Sequence, residues 1–429
     1  MERHHIAILG YGTVGTGVYR VLSDGAGDIQ HREDLDIRIK RIFVRDIDRA
    51  MNRCPAPRDL FTTSLEAILT DADIGVVVEC MGGIEPARSY ILAVLDAGKT
   101  VVTSNKEVVS KHWFEFAVAA KASGAGLYLE ATVGGGIPIL RAITDSMQAN
   151  NITGVMGIIN GTTNYILSRM EEAGVSFAEA LEEAQTLGYA EADPTADVDG
   201  FDATYKLSIL SSMAFHTHMP IDTIYREGIT SLSKADFDTA KLLGYRIRLL
   251  AIGKKRDRRI EVRVHPTMLP KDHPLASVRG VFNAVQLTGS TVGDVMLYGH
   301  GAGSFPTASA VVSDVVYACH AVGRHRYITF QDARDMNGEI EPVSNFSCIY
   351  CVRLSVLDIP GVLAAVAGVF AKNDVSLKEF WSLGRYEGEY AYINIVTHRA
   401  FECSVQKALT EIAALPVVRA VESVIRAEE

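Results

Sequence analysis

The 429-residue chain carries 42 Lys and Arg against 52 Asp and Glu, a formal net charge of −10, with no long basic run. That argues against a nucleic-acid binder, which needs a basic footprint. Hydrophobic residues make up 48% and charged residues 22%, so the chain is ordinary globular material with room for about three domains at ~150 residues each.

Residues 6–9 form a short apolar run and lead into Gly10-x-Gly12-x-x-Gly15 and an amphipathic helix. A strand before and a helix after give this motif its mechanism. The first glycine allows the tight turn, the second lets backbone approach a pyrophosphate, and the third lets helix pack on strand. The phosphate then sits at a helix N-terminus. A second strand over 37–44 ends in Val44-Arg45-Asp46. An acid there suits the ribose 2′-OH of NAD and an arginine the 2′-phosphate of NADP, and both types are present. A helix over 64–69, a strand over 74–79, a helix over 86–97 and a strand over 100–103 follow. The last ends in Ser104-Asn105-Lys106. Open α/β sheets bind ligands at such strand ends, which makes Lys106 a candidate active-site cation. A helix over 113–122 and a strand over 126–131 lead to Glu130-Ala131-Thr132-Val133-Gly134-Gly135-Gly136-Ile137-Pro138. A helix over 139–147 and a strand over 153–159 precede Asn160-Gly161-Thr162-Thr163-Asn164. That turn suits a carboxylate and equally a plain helix cap.

Residues 188–207, GYAEADPTADVDGFDATYKL, hold Glu191, Asp193, Asp197, Asp199 and Asp202 and then Lys206. A helix beginning near Asp197 or Asp199, with Asp197 as its cap, places Asp199, Asp202 and Lys206 on one face. Taken alone, this stretch reads as an acidic loop and a capped helix. After a dinucleotide fold it reads as a substrate cradle, with more acids than one lysine needs. Helices are expected to about residue 251, then strands over 260–265 and 282–287. Residues 298–316 read as a Gly-rich loop and a small-residue helix returning to the nucleotide. The Ca²⁺-loop register fails in the acidic stretch 188–207, with no glutamate at its end, and no His/Cys cluster suggests zinc.

The tail over 347–429 has the order βαββαβ, a ferredoxin-like arrangement, after a polar linker over 331–346. Cys348 and Cys351 fall in a strand, where i and i+3 face opposite ways, so they read as core thiols. Few, scattered cysteines suit a reducing cytoplasm. The start lacks signal-peptide features, and no run of about 18 apolar residues suggests a membrane span.

The motifs GYGTVGTGV, SNKEVVS, EATVGGGIPIL, NGTTNYIL, GYAEADPTADVDGFDATYKL and GAGSFPTASAV resemble homoserine dehydrogenase. They cover residues 5 to about 330 in the expected order, and the tail resembles an ACT domain, with DIPGVL at its strand-to-helix turn. The resemblance implies an α/β protein with a Rossmann-type domain over 1–131, completed by 301–330. It also implies an α+β catalytic and dimerisation domain over 132–300 and a regulatory ACT domain over 347–429. The resemblance is to the form without a fused aspartate kinase, which is the expectation for this chain. The activity implied is interconversion of L-homoserine and L-aspartate 4-semialdehyde with NADP, NAD being possible, on the route to threonine, methionine and isoleucine. Lys206, Lys106 and Asp202 match catalytic positions. Glu191, Asp197, Tyr189, Thr162 and Gly161 match substrate positions. Gly10, Gly12, Thr13, Val14, Gly15, Arg45, Ser104, Lys106 and Gly303 match cofactor positions. Glu130 and the carbonyls of Val133, Gly135 and Ile137 match a Na⁺ or K⁺ site. Asp358, Pro360 and Gly361 lie on the loop where a threonine effector is expected, and a cytoplasmic homodimer or homotetramer is implied. Ser104, His300 and the Ser304-Phe305 pair depart from the family pattern, and none removes a catalytic group. The rival readings are an aspartate-dehydrogenase-like enzyme and a non-enzymatic nucleotide or amino-acid sensor. The Lys106/Lys206 pair argues against a sensor, which needs no proton transfer.

Overall fold

The computed structural model describes residues 2–321, 341–342, 345–387 and 389–428. Most of the linker expected over 331–346 lies outside the described residues, as does 322–330. Two compact units emerge. The first is Met1–Gly161, Asp202–Asp222 and Val281–Ile340, and the second is Thr162–Phe201, Thr223–Gly280 and Glu341–Glu429.

The first unit holds a six-stranded parallel sheet. Its strands are β1 (Glu2–Leu9), β2 (Leu35–Phe43), β3 (Phe61–Thr62), β4 (Ile74–Glu79), β5 (Thr100–Thr103) and β6 (Leu127–Tyr128), in the order β3-β2-β1-β4-β5-β6. This is the doubly wound dinucleotide-binding order. The strands read as continuous apolar runs because helices cover both faces. Ile6, Ile8, Val76, Val78 and Val102 share one core with Val18 and Leu22 of the first helix, and with Val311 and Val315 of the helix Ser304–His320. That late helix packs closely on the first: Ser304 Oγ donates to the Thr13 carbonyl at 2.8 Å. A Cβ on Gly17 would lie 2.6 Å from the Ser304 carbonyl oxygen.

A second, antiparallel sheet in this unit pairs Ile152–Ile158 with Phe282–Gly289 and the latter with Gly293–His300. Residues 298–300, expected in a loop, are therefore strand. The strand expected over 126–131 stops at Tyr128, and Glu130–Thr132 form a 3₁₀ turn. The helix expected over 139–147 is one α turn, Ile139–Arg141, followed by a π turn, Ala142–Ser146. The helix expected over 113–122 begins at Lys106 and is kinked at His112.

In the second unit, residues 245–251 were expected to be helical but are strand. Tyr245–Arg256 pairs residue for residue with Arg259–Pro270. Its run of apolar residues is that of a strand buried on both faces, which periodicity does not separate from a buried helix. The tail forms its βαββαβ with antiparallel strands in the order Val418–Ala427, Ser347–Leu357, Tyr390–Thr397, Leu377–Glu387. It is not a detached domain. Its last strand continues the sheet in parallel with Arg259–Pro270, at Thr267↔Arg426 and Met268↔Ala427. Ion pairs reinforce that seam: Arg426 binds Glu402 at 2.8 Å and Glu227 at 2.6 Å, and Arg263 pairs with Glu428. Cys348 and Cys351 are buried and free.

Candidate active site

The glycine motif sits at the carboxyl end of β1. Gly10 has φ +96°, and a Cβ there would lie 2.9 Å from the Cys80 carbonyl oxygen. Gly12 precedes Thr13, Val14 and Gly15 of the helix Thr13–Asp24, which has no acid in its first turn. Its N-terminal N–H groups and positive dipole end are thus left for an anion. A Cβ on Gly15 would fall 2.1 Å from the Gly10 carbonyl oxygen, so helix and strand are in backbone contact. These features fit a dinucleotide pyrophosphate. At the end of β2, Asp46 is engaged as a helix cap, accepting from Arg49 N–H at 2.9 Å, whereas Arg45 is exposed. Arg53 Nη1 lies 3.6 Å from where a Gly12 Cβ would be. Arg53 is a residue that sequence reasoning missed; Arg45, Arg49 and Arg53 recur every four residues, Arg45 just before the helix Ile47–Arg53 and the other two within it.

Lys206 lies on the helix Phe201–Phe215, nearly all of which is buried. Its ammonium donates to Asp202 Oδ2 at 2.6 Å and to the Ile159 carbonyl at 2.8 Å. One of its three N–H groups is left without a partner among the described residues. Asn160 Nδ2 donates to the same Asp202 oxygen at 2.9 Å, and Lys106 Nζ stands 3.3 Å from Asp202 Oδ1. Burial alone would push the Asp202 carboxyl up. The two lysines, with hydrogen bonds from Lys206 and Asn160, outweigh burial and hold it down at about 2. The site is one carboxylate serving two cations, a net positive centre suited to an oxygen that gains negative charge. Asp199 is not on this face. Asp197 does not cap this helix either; it lies in a separate short helix, Thr195–Val198, and Gly200 at φ +81° restarts the chain before Phe201. Asn160, which the sequence marks only as part of a turn, holds Asp202; its place just after an apolar strand was the available signal.

Gly161 opens the helix Gly161–Ala173, with the Val281 carbonyl 2.7 Å from where its Cβ would stand. In the second unit, Thr162 Oγ1 donates to the Tyr189 carbonyl at 2.7 Å. Tyr189 and Glu191 are exposed and Asp197 is half-buried. Asp193 is used locally, accepting from Thr195 Oγ1 at 2.6 Å.

Glu130 is buried in the first unit and accepts from the N–H groups of Leu140 and Arg141 at 2.9 and 2.7 Å. Its own N–H donates to Asp314, which pairs with Arg141. Burial and the Asp314 charge push the Glu130 carboxyl up to about 7. The guanidinium of Arg141 pairs with Asp314, while Glu130 accepts main-chain N–H groups, and a monovalent cation would fit this second buried acid. Val133, Gly135 and Ile137 are buried beside the glycine turn, and the Ile137 carbonyl already accepts from Ile139 N–H at 2.8 Å. Among the described residues no group of three or more His, Cys, Asp or Glu could hold a metal ion. A cavity of about 710 Å³ lies beside Glu130 and Asp314, lined also by Trp113, Met147, Met213 and Tyr317, and it does not include Lys206. Ser104 N–H donates to the Glu79 carbonyl at 3.3 Å, and Gly303, at φ +125°, precedes the helix Ser304–His320. In the tail, Asp358 and Pro360 are exposed and Gly361, at φ +92°, starts the helix Val362–Lys372.

Residues 10–130 match the family model for the homoserine dehydrogenase NAD-binding domain, and residues 138–316 match that for homoserine dehydrogenase. The homoserine dehydrogenase of Mycobacterium bovis is 42% identical over 99% of this chain and 97% of its own. A crystal structure of a homoserine dehydrogenase from Thiobacillus denitrificans superposes with a TM-score of 0.93 at 40% identity, covering 100% of this chain and 99% of that one. A hyperthermophilic archaeal homoserine dehydrogenase mutant, solved in complex with NADPH, covers 74% of this chain and 98% of its own, with a TM-score of 0.64 at 27% identity. With the glycine cradle, the Lys206–Asp202–Lys106 cluster and relatives of this identity over the full chain, the chain belongs to the homoserine dehydrogenase family.

Proposed function

We propose that the chain interconverts L-homoserine and L-aspartate 4-semialdehyde with NADP, Lys206 moving the proton of the reacting oxygen. The observation that carries this reading is the buried lysine bound to Asp202 and Ile159 with one N–H left over. When bound, the dinucleotide supplies or takes up the hydride. In the reducing direction the spare N–H of the Lys206 ammonium would give its proton to the carbonyl oxygen, and in the oxidising direction the neutral amine would take the alcohol proton back. Asp202 keeps both lysines in place, and Lys106 adds positive charge where the oxygen becomes anionic. Tyr189, Glu191, Asp197, Thr162 and Gly161 are the proposed substrate ligands, the acids taking the ammonium group. Arg45 is assigned to the 2′-phosphate, supported by its exposure and by the use of Asp46 as a helix cap. Glu130, with the Val133, Gly135 and Ile137 carbonyls, is assigned to a monovalent cation.

The tail is read as an ACT domain that takes threonine at Asp358, Pro360 and Gly361, supported by its βαββαβ strand order. A homodimer or homotetramer is supported by the sheet face bearing Phe282, Met296 and Tyr298, the last two 40% and 54% exposed; a sedimentation profile of monomer alone would remove both.

The test is oxidation of NADPH and of NADH with L-aspartate 4-semialdehyde, with and without Na⁺ or K⁺. Turnover should be faster with NADPH and should fall when the monovalent cation is replaced by a bulky organic one. Lys206→Ala should lower kcat by at least ~10²-fold with NADPH still binding. Near-normal turnover in that variant would sink the assignment.

A further inference from the structure

Glu79 ends β4 and is only 1% exposed, although no step above uses it. Its two carboxylate oxygens reach separate loops. One accepts from Met81 N–H at 2.7 Å, on the turn that carries Gly82 and Gly83 at φ +75° and +70°. The other accepts from Thr103 Oγ at 2.6 Å, and Thr103 Oγ in turn accepts from Asn105 N–H at 3.0 Å. Asn105 closes the ring. Its Nδ2 donates to the Gly83 carbonyl at 2.7 Å, and its Oδ1 caps the next helix by accepting from Val108 N–H at 3.2 Å. Lys106 is the first residue of that helix. Thr103 and Asn105 are buried too. A buried carboxyl without cationic partners is costly, and burial pushes its titration upward. Apolar residues would fill the space more cheaply.

We infer that Glu79 is a positioning residue for the reaction. Through Thr103 and Asn105 it fixes the start of the helix Lys106–Ser123, and so holds the Lys106 ammonium against Asp202. It touches neither substrate nor cofactor. The inference rests on the proposed role of Lys106 in homoserine turnover.

The test is a double-mutant cycle on kcat/KM for L-homoserine, using Glu79→Gln, Lys106→Ala and both together, with thermal melting recorded alongside. Glu79→Gln alone should lower kcat/KM by about 10-fold or more, since small misplacements of a reacting group are that costly. In the Lys106→Ala background the same change should cost less than about 2-fold, because the group it positions is gone. Equal losses in both backgrounds, or no loss in the first, would overturn the inference. Should Glu79→Gln fail to fold, Thr103→Val runs the same cycle, since it cuts the link between Glu79 and Asn105. Wild-type protein without turnover on L-homoserine would instead refute the proposed function, and the same assay shows which has failed.

Discussion

Asp202 shows how a single residue sets the character of the site. Its carboxylate is held at about 2 by Lys206 and Lys106 against the pull of burial. Its pairing is therefore complete above the ordinary carboxylate range and is lost only as pH falls toward about 2. The i, i+4 spacing of Asp202 and Lys206 was legible in the sequence, because helical geometry alone brings such side chains together. The third member was not. Lys106 lies 96 positions earlier, and only the sheet brings it to 3.3 Å. Asp199 and Asp197 mislead for a related reason. Helical spacing was extended back through Gly200, whose φ of +81° breaks it. Gly15 offers a prediction at this scale. Because a Cβ there would lie 2.1 Å from the Gly10 carbonyl oxygen, Gly15→Ala should lower the melting temperature by several degrees, overpacking costing about 1–3 kcal/mol. It should also weaken NADPH binding by ~10-fold or more in a fluorescence titration. Unchanged affinity would show that the turn relaxes.

At the scale of elements, short strands bounded by glycine turns were recoverable because β4 and β5 lie in a sheet covered on both faces. Tyr245–Arg256 was not, since its partner strand decides between helix and sheet. That partner, Arg259–Pro270, carries His265, fully buried among Arg263, Arg426 and Lys254, with Tyr225 and Phe346 against its ring. Burial first, then Arg426 and Arg263, pushes its titration well below 6.5. Arg263 Nε donates to His265 Nε2 at 3.0 Å, which fits the neutral ring. The unfolded chain takes up a proton below about 6.5 that the folded chain refuses. Stability is thus complete above that pH and falls as pH drops, by up to about 1.4 kcal/mol per unit. His265→Gln should flatten this acid limb in melting curves recorded between about pH 7 and 5. An identical pH slope in wild type and variant would assign the limb elsewhere.

On the scale of the whole molecule, chain order and compact units diverge. Residues 202–222 and 281–321 join the N-terminal sheet's unit, while the tail joins the strands at 245–270. Removing the tail after residue 346 would strip Glu428 from the buried Arg263 and Arg426 from Glu227. Opening a buried pair costs about 3–5 kcal/mol. The truncated chain should therefore melt well below the intact one, and truncation is a poor way to isolate regulation. Asp358→Ala is the cleaner variant. On the proposed ACT reading, inhibition by L-threonine in the intact chain should be lost in it while activity without threonine stays within ~2-fold, as for an exposed substitution with little effect on stability. Undiminished inhibition would move the effector away from that loop. By itself the sequence determined the dinucleotide motif, the pairing of Lys206 with Asp202, the βαββαβ tail and the family, because these depend on spacing along the chain. Tertiary structure alone decided the Lys106–Asp202 contact, the use of Asp46 as a cap, the tail's place in the sheet and the Glu79 ring. Each of these depends on strand order and burial, which join residues that no local spacing relates.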